Sequence, residues 1–118
     1  GYDPHNADAF LSDLDSVFGV DCVEIVQSAR SLNDATVDFR LEVEAGNVVY
    51  DRKNHLLTWS MVNAKTESNS FGEIKIMKHT QTKRIDPVDA VIDAHKLAFS
   101  NKSAQSVYEQ RGMRSLLD

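Results

Sequence analysis

An Asp-Pro pair at residues 86 and 87 is the feature that most constrains the fold of this chain. Asp is favoured as a helix cap, and Pro suits the first helical position because its missing N–H would have no intrahelical partner there. The residues that follow repeat at helical spacing as one stripe, formed by Val88, Val91, Ile92, His95 and Phe99. The sequence therefore predicts a long helix that starts at this pair.

Three carboxylates, Asp86, Asp89 and Asp93, follow the same helical spacing on the side opposite the stripe. They form either a solvated helix face with a capping aspartate or part of a metal site in which Asp86 is a hard oxygen ligand for a divalent cation. A metal site needs a second carboxylate, and Asp3 is the natural candidate. A carboxylate at the end of a strand can face the start of a neighbouring helix in an α/β sheet.

A basic cluster precedes the acidic helix, formed by Lys75, Lys78, Lys83 and Arg84. Cations beside candidate metal ligands suit a phosphodiester, although charges on a hairpin also occur simply as a solvated surface. The net charge of −5 argues against binding nucleic acid by bulk charge. Any polyanion would therefore be held by this local cluster or by bridging metal ions.

The remaining segments predict an α/β chain with some parallel strand pairing. Asn6 caps a first helix that ends at Gly19, and the alternating segment VDCVEIV, residues 20–26, is expected to form a strand with Cys22 buried. Ser31 or Asn33 caps a second helix that ends before Gly46.

Two further segments complete this chain. NHLLTWSMV, residues 54–62, is either a helical turn or a buried strand. Residues from about Ala64 to Met77 alternate around the polar turn SNSFG, which predicts a β-hairpin.

We assign residues 1–100 to one domain and residues 101–118, which are mostly polar, to a loosely attached tail. Since no apolar run approaches roughly 18 residues and no secretion signal is present, we expect no membrane association and a cytoplasmic setting.

Several short motifs occur together in one order: YDP with Asn6 and Ala7, RSL at residues 30–32, NHLLTWSMVN, GEIK, KRID and SVYEQRG. In this order and spacing they resemble the C-terminal nuclease half of tailed-phage or prophage terminase large subunits, over nearly the whole chain. The resemblance implies a partial ribonuclease-H-like fold, with a mixed sheet, flanking helices and an inserted hairpin. It also implies a DNA-packaging endonuclease that cuts concatemeric double-stranded DNA while the capsid is filled.

The same resemblance assigns Asp3 and Asp86 as catalytic metal ligands for Mg²⁺ or Mn²⁺, with two ions in a complete site. The family pattern does not fix acids at residues 89 and 93, and we expect Asp89 to support the site from its position one helical turn after Asp86. Lys75, Lys78, Lys83 and Arg84 would contact DNA. The implied partners are double-stranded DNA, the terminase small subunit, the portal or procapsid, and the N-terminal ATPase domain of the same full-length chain, in the host cytoplasm. A further family aspartate lies upstream of YDP, so we expect residues 1–118 alone to be inactive.

Two other interpretations stay open at this stage. The same fold can serve as a non-catalytic interaction module of the packaging machinery, in which the carboxylates only cap and solvate the helix. It can also belong to another ribonuclease-H-like nuclease of the resolvase or transposase type.

Overall fold

The computed structural model describes residues 1–117 except Tyr2, His5, Asn6 and Val20, with side chains described as far as Asn101. It contains, in chain order, α1 (Asp8–Phe18), α2 (Ala29–Glu44), α3 (His55–Asn63), β1 (Ala64–Ser68), β2 (Ile74–Lys78) and α4 (Asp86–Leu117). The α/β class is confirmed. A mixed sheet is not formed by the described residues, whose sheet has two antiparallel strands, and the ribonuclease-H-like assignment stays a prediction.

The core forms where α2 packs against α4 and β2, and α3 also packs against α4. Its buried apolar residues are Ile25, Leu32, Ala35, Phe39, Ile85, Val88 and Ile92. Each large aliphatic side chain buried here stabilises the fold by roughly 1.5 to 3 kcal/mol. The first two turns of α4 therefore belong to the centre of the fold.

The long helix begins where the Asp-Pro pair predicts, with Pro87 as its second residue. The amide of Asp89 donates to the carbonyl of Ile85 at 2.9 Å, which closes the first turn. The helical backbone continues to Leu117, beyond the expected start of a tail at residue 101. No helix in the described part of the chain is both long and apolar enough to cross a bilayer.

The predicted hairpin is confirmed, with a register that runs from Ala64 opposite Lys78 to Ser68 opposite Ile74. Asn69 organises the turn, because its Oδ1 accepts from the amides of Phe71 at 2.9 Å and Glu73 at 3.0 Å. The turn closes at a residue in the left-handed region, Gly72 with φ 76°. Upstream of the hairpin, the helical alternative for NHLLTWSMV is confirmed by α3, whose cap Asn54 accepts from the amide of Leu57 at 3.0 Å.

The predicted cap of α2 is wrong by one turn. Ser28 caps this helix, since its Oγ accepts from the amide of Ser31 at 3.1 Å. Asn33 instead reaches the hairpin, where its Oδ1 accepts from the amide of Ile74 at 2.9 Å. This long-range bond fixes the start of β2 against α2. At the other end, Ala45 is the C-cap and Gly46 has φ 76°, as the predicted helix end requires.

The predicted strand at residues 20–26 is also wrong among the described residues, where only Glu24 makes an isolated bridge. Ile25 is buried, but Val23 and Val26 are 44% and 56% exposed, and neither of the two described strands pairs with this segment. Cys22 is exposed and not buried as expected.

The first helix ends at Gly19, in the left-handed region with φ 57°, as predicted. Its predicted cap, Asn6, lies outside the described residues, and the helix begins at Asp8. None of its residues is buried, and Phe10, Val17 and Phe18 are about 70% exposed. The apolar residues of α1 are therefore not part of the core described above.

Replacing Asn33 by Ala should lower the free energy of unfolding by about 1 to 2 kcal/mol, because the half-buried amide of Ile74 loses its acceptor. Urea unfolding at neutral pH measures this change. Asn47→Ala is the matched control, since it removes only an exposed bond to Glu42. Equal unfolding midpoints for the two variants would contradict a structural role for the bond between α2 and the hairpin.

Candidate active site

The three carboxylates of α4 lie at increasing depth along the helix. Asp86 is exposed, Asp89 is half-buried, and Asp93 is only 7% exposed. The interpretation of this face as fully solvated is therefore wrong at its inner end. Asp93 follows Ile92, one of the most buried core residues at 2% exposure, so the helix carries its carboxylate to the edge of the core.

Asp93 is covered by two parts of the chain that precede α2. Gln27 donates from Nε2 to Asp93 Oδ1 at 3.1 Å and also to the carbonyl of Ile25 at 2.9 Å. Gly1 packs nearby, since a Cβ added there would lie 2.6 Å from Ile25 Cγ1 and 3.2 Å from the backbone oxygen of Asp93. Gly1 and Gln27 therefore both lie beside Asp93.

The pKa of Asp89 is raised from an ordinary 3.8 to about 6, first by burial and then by the charges of Asp93, Asp86 and Asp3. Lys75 acts in the opposite direction and lowers it. A carboxyl group with this pKa is half protonated near pH 6. A nearby cation stabilises its ionised form and so lowers its pKa.

The pKa of Asp93 is also raised, first by burial and then by the charge of Asp3. The hydrogen bond from Gln27 and the positive amino group of Gly1 act against this rise. The charge of Asp3 therefore acts on both Asp89 and Asp93, and the charge of Asp86 acts on Asp89.

The donor set fits a hard divalent cation, since carboxylate oxygens are the ligands that Mg²⁺ and Mn²⁺ prefer. Within the described ranges, however, no group of three or more His, Cys, Asp or Glu side chains is close enough to hold a metal ion by itself. Mg²⁺ usually keeps several waters and binds through one or two carboxylates plus substrate phosphate. The residues present thus fit part of a coordination sphere that water, phosphate or further protein ligands complete.

A cleft of about 240 Å³ opens beside the exposed end of this acidic face. It is lined by Lys75, Ile76, Met77, Lys78, Arg84, Ile85, Asp86 and Asp89. Three of the four predicted DNA-binding cations therefore meet two of the predicted acids, and Lys83 is exposed without lining this cleft. Cations and carboxylates in one open cleft are suited to a polyanion whose phosphate lies next to metal ligands.

Comparison with protein families gives one decisive match. The family described as terminase large subunit, endonuclease domain, matches residues 1–101 of the 118. The chain belongs to this family. The resemblance drawn from its sequence motifs is thereby confirmed, and with it a general role as a nuclease of phage DNA packaging. Searches among curated proteins and among solved structures found no significant match.

In this terminase domain, sequence reasoning missed Gln27 and the depth of Asp93. Gln27 lies in a segment predicted to end a strand, 66 positions from its partner, and no local pattern indicates that it bonds a carboxylate there. The burial of Asp93 also had no sequence signal, because the helical pattern alone places it away from the apolar stripe.

His95, a member of the predicted apolar stripe of α4, contacts α2. Its Nε2 lies 2.7 Å from Oδ2 of Asp38 on α2, and its ring meets Phe39 edge to face at 5.5 Å. Next to it, Lys96 donates to the backbone oxygen of Ser31. His95 and Lys96 thus join the third turn of α4 to α2, just beyond Asp93.

Replacing Asp89 by Asn should stabilise the terminase domain at pH 8 and leave its stability nearly unchanged at pH 3.5. The raised pKa means that the folded state binds the proton more tightly, so ionisation destabilises the fold progressively from pH 3.8 to about 6 and fully above that. Solvent screening of this half-exposed group reduces the gain to about 1 kcal/mol at pH 8.

Urea unfolding at the two pH values measures this gain. Asp13→Asn on α1 is the control, because it removes an equal charge from an exposed position outside the acidic group. A destabilised Asp89→Asn variant at pH 8 would show that the carboxylate makes a favourable bond in the fold, contrary to this account.

Proposed function

We propose that this chain supplies metal ligands and DNA contacts to the nuclease centre of a terminase large subunit. The observation that supports it most is the single cleft in which Asp86 and Asp89 meet Lys75, Lys78 and Arg84. Family membership adds the class of reaction, which is endonuclease cleavage. Cleavage of concatemeric DNA during capsid filling is the expected biological step.

Asp3 and Asp86 are the proposed catalytic metal ligands, with Asp89 as support. Mg²⁺ or Mn²⁺ bound there, two ions in a complete site, would activate water and neutralise charge on the phosphate and the leaving oxygen. Asp86 is exposed at the cleft and offers both oxygens. Asp89 lies one turn deeper and adds negative charge that favours a bound cation, while Gln27 keeps the carboxylate of Asp93 in a fixed position.

The cations of the cleft have a different task. Lys75 and Lys78 on β2 and Arg84 before α4 would contact phosphate oxygens, which positions a duplex without selecting its sequence. Lys83, next to Arg84 in the chain, would add a contact outside the cleft. Because β2 is tied to α2 through Asn33, these contacts would be made from a fixed strand.

The rest of the proposed assembly follows from the family. A further aspartate on an upstream strand would complete the metal site, so residues 1–118 alone would be inactive. The N-terminal ATPase domain, the small subunit and the portal or procapsid would be partners in the host cytoplasm. A ribonuclease-H-like framework would accommodate the hairpin as an insertion beside the cleft.

One observation favours a second candidate, a non-catalytic interaction module. The first helix exposes Phe10, Val17 and Phe18, an apolar surface suited to docking. A resolvase or transposase is disfavoured, because the matching family is that of terminases.

Metal-dependent plasmid nicking separates the nuclease from the module. A chain extended upstream through the missing aspartate should nick supercoiled plasmid in Mn²⁺, and Asp86→Ala should reduce the rate at least about 100-fold, as expected when a metal ligand is lost. Asp13→Ala, at an exposed position on α1, should retain full activity. Equal nicking by Asp86→Ala and the unaltered chain, or no nicking by a folded chain, would favour the interaction module.

Removing two cleft cations tests the DNA contacts. Lys75→Gln with Lys78→Gln should weaken binding of a short duplex by about 10-fold at low salt, since each phosphate contact adds to the salt-dependent affinity. Fluorescence anisotropy measures the dissociation constant, and Arg52→Gln with Lys53→Gln is the charge-matched control outside this cleft. Unchanged affinity of the Lys75 and Lys78 variant would exclude the contact role.

A further inference from the structure

A second cleft, of about 470 Å³, lies on the other side of Lys75. It is lined by Ser28, Ala29, Arg30, Glu67, Ser68, Asn69 and Lys75. Among the described residues, Lys75 alone lines both this cleft and the cleft that contains Asp86. The two clefts are thus neighbours that share one cationic side chain. Arg30 is the second cation of the 470 Å³ cleft, which we call the outer cleft.

The chemistry of the outer cleft fits an oxyanion. Arg30 is exposed on the first turn of α2, and its guanidinium offers a planar fork of donors that matches phosphate oxygens. Ser28 accepts from the amide of Ser31 through Oγ, which leaves its own hydroxyl hydrogen free to donate outward. The cleft therefore combines a charged donor with a hydroxyl donor beside Lys75.

One acidic residue limits the ligand that the outer cleft would accept. Glu67 lies directly opposite Lys75 across the hairpin, and it also lines the cleft. The negative charge of Glu67 repels a second phosphate in the same cleft. The arrangement suits one phosphate group between Arg30 and Lys75, with Glu67 at the side.

We propose that Arg30 and Lys75 bind a DNA backbone phosphate adjacent to the one held beside Asp86. This inference rests on the proposed nuclease function and adds a contact residue from α2 to those predicted on the hairpin. A DNA strand carries a phosphate at every nucleotide, so a backbone that lies along the Asp86 cleft continues past Lys75. Arg30 would fix the direction in which the duplex leaves the cleavage centre.

Duplex binding by residues 1–118 tests this assignment, with a fluorescent duplex of about 30 base pairs as the probe and anisotropy as the readout. Arg30→Gln should weaken binding about 5-fold at low salt and reduce the slope of log affinity against log salt by about 0.9, the value for one lost phosphate contact. Glu67→Gln should tighten binding about 2-fold, because it removes the opposing charge.

Arg52→Gln is the matched control, because it removes the same charge from an exposed turn that lines neither cleft. Circular dichroism confirms that each variant is folded. If the unaltered chain binds but Arg30→Gln equals Arg52→Gln in affinity and salt slope, the second phosphate contact is wrong and the proposed function stands. If the unaltered chain and its upstream extension bind no duplex at low salt, both proposals fail.

Discussion

The fold depends on one helix that serves the core and the candidate site at the same time. Val88 and Ile92 on α4 must be buried against α2, and the helical repeat then fixes where residues 89 and 93 lie. Burial of these two carboxylates raises their pKa values and costs stability at neutral pH. A cost of this kind is common where a group serves function more than folding.

The hairpin supplies the opposite charge, and a single side-chain bond determines where it stands. Asn33 on α2 accepts from the amide of Ile74, the first residue of β2, and Lys75 follows directly. Lys75 is close enough to Asp89 to lower its pKa. The acidic face and the cationic strand therefore meet because both elements pack on α2, which gives the cleft a rigid base.

The sequence predicts the local parts of this structure well. The Asp-Pro pair locates the start of α4, the alternation around SNSFG locates the hairpin, and Gly19 ends α1, because each depends on backbone preferences of a few adjacent residues. Long-range effects were missed. The alternating segment before α2 has strand chemistry but no described neighbouring strand to pair with, so only Ile25 is buried there. Local spacing also assigned Asn33 to a cap, although its oxygen bonds β2.

In the candidate site, too, the sequence predicted some residues and missed the contacts that depend on long-range packing. Asp86, Lys75, Lys78 and Arg84 were named from charge pattern and family resemblance, and they line one cleft. The depth of Asp93 and its bond to Gln27 depend on how the segment of Ile25 and Gln27 packs beside α4, which no local pattern predicts.

The most direct test of the account is a crystal structure of this chain grown with millimolar Mn²⁺, with anomalous scattering used to locate the ion. The account predicts a peak about 2.0 to 2.6 Å from a carboxylate oxygen of Asp86, next to Asp3 or Asp89. Crystals that show no anomalous peak at Asp86, with the acidic face open to solvent, would contradict a metal-binding role for this face of α4.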